Sequence, residues 1–315
     1  AGAAEPGAAA AAAAAAMPCV CPGHSRPIAG IHFSPPTADG VFFVSACLDK
    51  IPMLRDGSTG DWIGSFTGHK GAVWDAKLNS RATQAATASA DFSVKIWNAI
   101  SGDCLHTLEH RHIVKTLAFS PDDTRLATGC NDKLLRVYTF NEDGSVSEPV
   151  VIPHDGQAVR RLIWNNDGTQ IITGAADKKI RCVAVWDLET TTVTQEIEVT
   201  GEVMDLEMSR DGKRITVAAG RHVTFLDSAS YAVLDSRALE IDVETASLHP
   251  TDPNRFVAGG SDLWVRLFET STGEELACLK GHHGPVRCLR FAPDGKSYAS
   301  GSEDGTIRIW PYVAK

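Results

Sequence analysis

Short runs of alternating polar and apolar residues recur along this chain and never lengthen into a helical period. Ser93-Val94-Lys95-Ile96-Trp97 and Thr306-Ile307-Arg308-Ile309-Trp310 place every second side chain on one face, as half-buried strands do. Between such runs stand Pro293-Asp294-Gly295, Asn166-Asp167-Gly168 and Arg210-Asp211-Gly212, whose Asp and Gly suit tight reversals. The pattern predicts an all-β chain of many short, hairpin-linked strands.

The strands come in spaced groups. Gly68-His69-Lys70-Gly71-Ala72-Val73 is nearly repeated as Gly281-His282-His283-Gly284-Pro285-Val286. In both groups an Asp (Asp91, Asp304) follows the His by 22 residues, and a Trp (Trp97, Trp310) follows the Asp by six. His110, Asp132 and Tyr138 keep both spacings, while His154, Asp177 and Trp186 carry one extra residue before the Asp and three after it. His24, Asp49 and Arg55 form a first unit without the aromatic, and two weaker units end at Phe225 and at Phe268. The closing positions Arg55, Trp97, Tyr138, Trp186, Phe225, Phe268 and Trp310 lie 42, 41, 48, 39, 43 and 42 residues apart, a period that fits four short strands per unit. Seven such units predict a seven-bladed β-propeller. In each blade the fourth strand follows the closing residue, as in residues 62–66, 104–108 and 275–279. After Trp310 only five residues remain, whereas residues 17–21 form an extended piece before His24. That N-terminal strand is expected to be the outer strand of the last blade and so to close the ring. Residues 1–16 hold twelve Ala and no Lys or Arg, unlike a secretory signal or a transit peptide. They are set aside as an Ala-rich extension, disordered or non-native, with Met17 as the natural start and residues 17–315 as the propeller.

A hydroxyl stands four residues before each turn Asp: Ser45, Thr87, Thr128, Thr173 and Ser300. His, hydroxyl and Asp together suggest a hydrolase. Five copies at fixed spacing argue against one, because an enzyme needs a single such site. A buried turn Asp needs its oxygens satisfied, and turn amides, an imidazole and a hydroxyl can do so, with the closing indole N–H joining the network. No G-x-S-x-G elbow, phosphate loop or H-E-x-x-H pair occurs. The chain is therefore read as non-catalytic, with no cofactor and no metal site; of its eight cysteines only Cys19 and Cys21 are close, and no C-x-x-C pair exists.

These spaced residues resemble the WD40 repeat family. The resemblance implies structural tetrads at His69, Thr87, Asp91 and Trp97 and at His282, Ser300, Asp304 and Trp310. Variants of the same tetrad fall at His110, Thr128, Asp132 and Tyr138, and at His154, Thr173, Asp177 and Trp186. Blades one, five and six depart from the pattern and are expected to be softer. The extra residues of blade four, at positions 181–184, are expected to make a bulge or a changed register in its third strand. More particular strings, among them Asp61-Trp62-Ile63-Gly64-Ser65-Phe66 and Asn131-Asp132-Lys133-Leu134-Leu135-Arg136-Val137-Tyr138, resemble one branch of the family. That branch implies a cytoplasmic and nuclear scaffold, associated with assembly of splicing ribonucleoproteins and with receptor-kinase signalling. A Gly-His-x-Gly-Ala-Val-Trp string is shared with the WD40 subunit of the eukaryotic translation initiation factor 3 complex, which stands as the alternative.

Composition narrows the partners. The net charge of −9 gives no broad basic surface, and the 7% of aromatic residues fall mostly at blade-closing positions, so no direct sequence-specific nucleic-acid binding is expected. No apolar run reaches the length of a membrane span, and no membrane partner is expected. The cysteines fall mostly in strand-like apolar runs and read as reduced core thiols. Aligning the repeats puts Ala29, Trp74, Lys115, Arg160, Met204, Thr245 and Arg287 at the wide mouth of the channel, one from each inner strand. Three cations and a Trp there suit a partner segment that is acidic and carries an apolar anchor. Trp74, Lys115, Arg160 and Arg287 are the candidate partner-binding residues, and Lys70, Arg111, Arg161 and Lys178 widen the patch. The alternative is that Trp74 packs against the next blade and that Asp75, Glu202 or Asp205 pairs the cations. The expected state is a monomeric propeller inside a larger protein assembly.

Overall fold

The computed structural model describes residues 17–154, 158–175 and 182–313, and these hold 28 strands and no helix. The strands form seven antiparallel sheets of four. The innermost strands are β2 (Ile28–Phe33), β6 (Val73–Leu78), β10 (Val114–Phe119), β14 (Val159–Trp164), β18 (Val203–Met208), β22 (Val243–Leu248) and β26 (Val286–Phe291). Each packs on the next and β26 packs on β2, so seven blades close into a ring around a channel.

The closing joint is the N-terminal strand. β1 (Cys19–Cys21) pairs antiparallel with β28 (Ile307–Pro311), Val20 opposite Arg308, so the last blade is ordered β1-β28-β27-β26. Cys21 is buried there among Ile28, Ile307 and Ile309, which come from both ends of the chain.

Second strands carry the inter-blade core. β7 (Gln84–Ser89), β11 (Arg125–Cys130), β15 (Gln170–Ala175), β23 (Arg255–Gly260) and β27 (Ser297–Ser302) are each buried along their last five residues, because a neighbouring blade covers each face. Small side chains permit this approach. A Cβ on Gly129, Gly174, Gly259 or Gly301 would sit 2.5, 2.4, 2.8 or 2.6 Å from Val159, Val203, Val286 or Ile28 at the start of the next inner strand.

Blade four corrects one expectation. Its third strand, β16 (Cys182–Asp187), pairs with β15 in unbroken register from Gln170 opposite Asp187 to Gly174 opposite Val183. The shift in β16 lies instead against β17 (Thr192–Glu198), between Val185 and Trp186, where four other blades also shift. The extra length is thus not absorbed between Val183 and Asp187; residue 181 lies outside the described residues, as do residues 1–16.

Candidate functional site

In blade two the His69 Nδ1–H donates to Asp91 (2.8 Å), and Nε2 meets the Thr87 hydroxyl (2.7 Å). The Trp97 indole N–H donates to the same Thr87 oxygen at 2.8 Å. Blade seven repeats this at 3.0, 2.7 and 2.8 Å with Asp304, Ser300 and Trp310 around His282. Connectivity is that of a hydrolase triad, but Thr87 is 0% exposed and its oxygen also accepts the indole N–H, so no substrate carbonyl has room beside it. Burial alone would raise the Asp91 carboxyl. Bonds from the Ser93 and His69 side chains and the Lys70 amide outweigh it and hold Asp91 well below the usual range. Burial likewise holds His69 and His282 below the usual imidazole value.

Other blades vary the scheme. In blade one His24 meets Asp49 and Ser45, each at 2.8 Å. Arg55 fills the aromatic's place: 2% exposed, it donates to the carbonyls of Gly60 (3.0 Å) and Pro22, tying the first strands together. The candidate ligand atoms of His24, Cys47 and Asp49 lie within 4.8 Å of one another, but they are already spent on each other, on Ser45 and on the Arg26 carbonyl.

Blade three departs from the implied tetrad. His110 keeps Thr128 (3.0 Å), but its Nδ1–H donates to the Leu108 carbonyl, because Arg136 takes both oxygens of Asp132 (2.6 and 3.2 Å). A bidentate guanidinium outcompetes a neutral imidazole for a carboxylate. Tyr138 only packs on the imidazole, at 6.1 Å. In blade four His154 (2.8 Å) and Trp186 (2.9 Å) meet on Thr173, and Asp177 lies outside the described residues.

The mouth is built by one repeated irregularity. Every inner strand bulges after its first residue, as where Val73 faces Ser89 but Asp75 faces Ala88. The same shift occurs in β2, β10, β14, β18, β22 and β26. Such a bulge re-aims one side chain. The re-aimed residues are Ala29, Trp74, Lys115, Arg160, Met204, Glu244 and Arg287. Thr245 is thereby corrected: it is 0% exposed and bonds Asp205 inside the channel (2.7 Å), and Glu244 takes the mouth position.

That acid changes the electrostatics. Arg287 is held by Glu244 (2.7 Å) and Glu303 (2.8 Å), Arg160 by Glu202, and Arg161 faces Asp205 at 3.8 Å. The structure pairs the candidate arginines with acids. Lys115 is different. Its ammonium lies 3.1 Å from the Trp74 ring centroid and, among the described residues, has no carboxylate partner. Burial, aided by the cations of Arg160 and Arg161, pushes it down to about 8. Phe92 lies tilted against His112 (5.5 Å) in a turn whose φ of 69° is unusual for a bulky residue. Phe92 is 44% exposed. Sequence spacing missed Phe92 and His112, since both sit in turns whose shape only the fold reveals. Lys70 and Arg111 are exposed on the same loops, and Lys178 lies outside the described residues.

Deeper in the channel is a charge network that the sequence also hid: Arg290 grips Asp205 through both terminal nitrogens (2.6 and 2.7 Å), and Glu207 accepts from Ser247 (3.0 Å). Its only mark in the sequence is charge at alternate positions of apolar strands, as in Val203-Met204-Asp205-Leu206-Glu207-Met208.

A family model, the first β-propeller of IFT122, matches residues 27–310. Serine-threonine kinase receptor-associated protein of Mus musculus is 45% identical over 296 residues, 94% of this chain and 83% of its own length. That of Dictyostelium discoideum is 45% identical over 295 residues, 93% and 98% of the two chains. This chain belongs to the serine-threonine kinase receptor-associated protein family. Eukaryotic translation initiation factor 3 subunit I of Culex quinquefasciatus is more distant, 30% identical over 94% of this chain and 97% of its own. Within the receptor-associated family the WD-repeat ring is a scaffold fold.

Proposed function

We propose that this protein is a non-catalytic scaffold which holds protein partners in a multi-subunit assembly, docking an acidic partner segment at Trp74 and Lys115. One observation carries the site: of the mouth cations proposed from the sequence, Lys115 alone, among the described residues, has an aromatic face and no carboxylate beside it. A carboxylate on the partner would complete the ammonium's coordination, and an apolar partner side chain would cover Phe92 and His112. Arg160 and Arg287 contribute little, because a partner acid must displace Glu202, Glu244 or Glu303 to reach them. The relatives' name, receptor-associated, and the sequence resemblance to a branch associated with splicing ribonucleoproteins support roles in receptor-kinase signalling and splicing ribonucleoprotein assembly, in the cytoplasm and the nucleus.

Crosslinking mass spectrometry on the complex recovered from source cells tests this reading. Crosslinks from Lys70 and Lys115 to assembly factors of splicing particles or to receptor kinases are expected. Subunits of the translation initiation complex would favour the more distant relatives' role. Partners crosslinked only to the opposite face would remove the proposed site.

A further inference from the structure

At the end of the ring opposite the bulges, the last residues of the inner strands surround a cavity of about 440 Å³. This lies within the size range of small-molecule sites, roughly 300–1,000 Å³. Its walls are apolar, with Phe119, Trp164, Met208 and Phe291 among them. Its charged lining holds three cations, Lys77 from β6, Arg290 from β26 and Arg210 from the turn after β18, and two acids, Glu207 and Asp123, with His32 from β2 beside them.

Counting donors against acceptors shows what is missing. The nearest acid to the Lys77 ammonium is Asp75, at 3.7 Å, and among the described residues no acceptor comes within hydrogen-bond distance, so three N–H donors are unspent. His32 Nδ1 accepts the Leu78 amide (3.2 Å), which leaves the proton on Nε2, and that N–H has no protein acceptor among the described residues. Burial first, then the cations of Lys77, Arg290 and Arg210, hold His32 well below the usual imidazole value, so it is a neutral donor. Arg210 has no carboxylate partner among the described residues.

The acids that face the cavity are already committed. Glu207 takes the Ser247 hydroxyl and the Leu248 amide (3.0 and 3.2 Å), with Arg290 at 3.5 Å. Asp123 at the rim takes the amide and hydroxyl of Ser80 (3.0 and 2.5 Å). The lining therefore leaves donors on Lys77, His32 and Arg210 without a protein acceptor among the described residues, next to apolar side chains.

We propose that this cavity binds a small organic anion, a carboxylate or phosphate ester with an apolar body. Its charged head sits at Lys77, His32 and Arg210, where charge-assisted hydrogen bonds are stronger than neutral ones. Its apolar body lies against Phe119, Trp164 and Met208. The site is separate from the partner-binding mouth and does not depend on it.

Isothermal titration of the full chain with hexanoate, hexyl phosphate and uncharged hexanol tests this. At least one anion is expected to bind one-to-one, at least about tenfold more tightly than hexanol. If hexanoate alone binds, the ligand is a carboxylate; if hexyl phosphate alone, a phosphate ester. Arg210→Gln, at the exposed rim, is expected to keep the wild-type unfolding midpoint and to weaken anion binding about tenfold. Lys77→Met is expected to do the same where its midpoint shows it folded, and Arg287→Gln at the far mouth is expected to change nothing. Anions bound no better than hexanol, or an Arg210→Gln protein that binds them unchanged, would overturn the proposal.

Discussion

Thr87 and Thr128 occupy the same place in successive blades but do different work. Thr87 joins an imidazole and an indole, whereas among the described residues the Thr128 hydroxyl meets only the His110 ring. Thr87→Val leaves two buried donors or acceptors unsatisfied and is expected to cost about 1–3 kcal/mol, with Thr128→Val costing less. Urea unfolding of both variants measures the difference. The His, hydroxyl and Asp positions were legible in the sequence because their spacing repeats. Rewiring of blade three was not, because Arg136 reaches Asp132 only once the turn at Asp132 leads into the strand Leu134–Thr139. The buried imidazoles also set an acid limit. His110 falls from 6.5 to about 4, chiefly through burial and then through Arg136, and His24, His69 and His282 are lowered too. A histidine whose folded value is depressed favours the fold while neutral. Its contribution is present above about pH 6.5 and is lost as pH falls towards about 4. The urea midpoint is expected to decline over that window, and less steeply in His110→Gln.

At the scale of strands, alternation and turn residues located the elements, and the short N-terminal strand was legible as the piece the last blade lacked. Deleting residues 17–21 uncovers the edge of β28 and the side chains of Ile307 and Ile309. The truncated protein is expected to unfold at lower urea and to self-associate through the bare edge, as light scattering over a concentration series would show. A truncated ring that stays monomeric and equally stable would deny β1 its closing role. Register was less legible. One unpaired residue at the start of each inner strand leaves no mark in composition, so repeat alignment chose Thr245 where the bulge presents Glu244. That single step put an acid into a mouth read as cationic.

Across the whole molecule the ring has two different ends. At the mouth, acids from neighbouring blades pair Arg160 and Arg287 and leave Lys115 with Trp74 as the open contact. At the other end uncommitted donors surround an apolar-walled cavity. Seven blades could be counted from the sequence because each repeats a local pattern. The mouth positions could be read that way apart from Glu244, but their ion pairs and the far cavity could not, since most of these contacts join neighbouring blades of the closed ring. The most direct test is quantitative mass spectrometry of partners recovered on tagged protein from source cells. Trp74→Ala with Lys115→Met is compared against Arg160→Ser with Arg287→Ser, all checked for unchanged unfolding midpoints. Loss of the central contact is expected to cut partner recovery about tenfold or more, while the paired arginines matter little. Full recovery on the Trp74 and Lys115 variant, or loss only on the arginine variant, would contradict the proposed docking site.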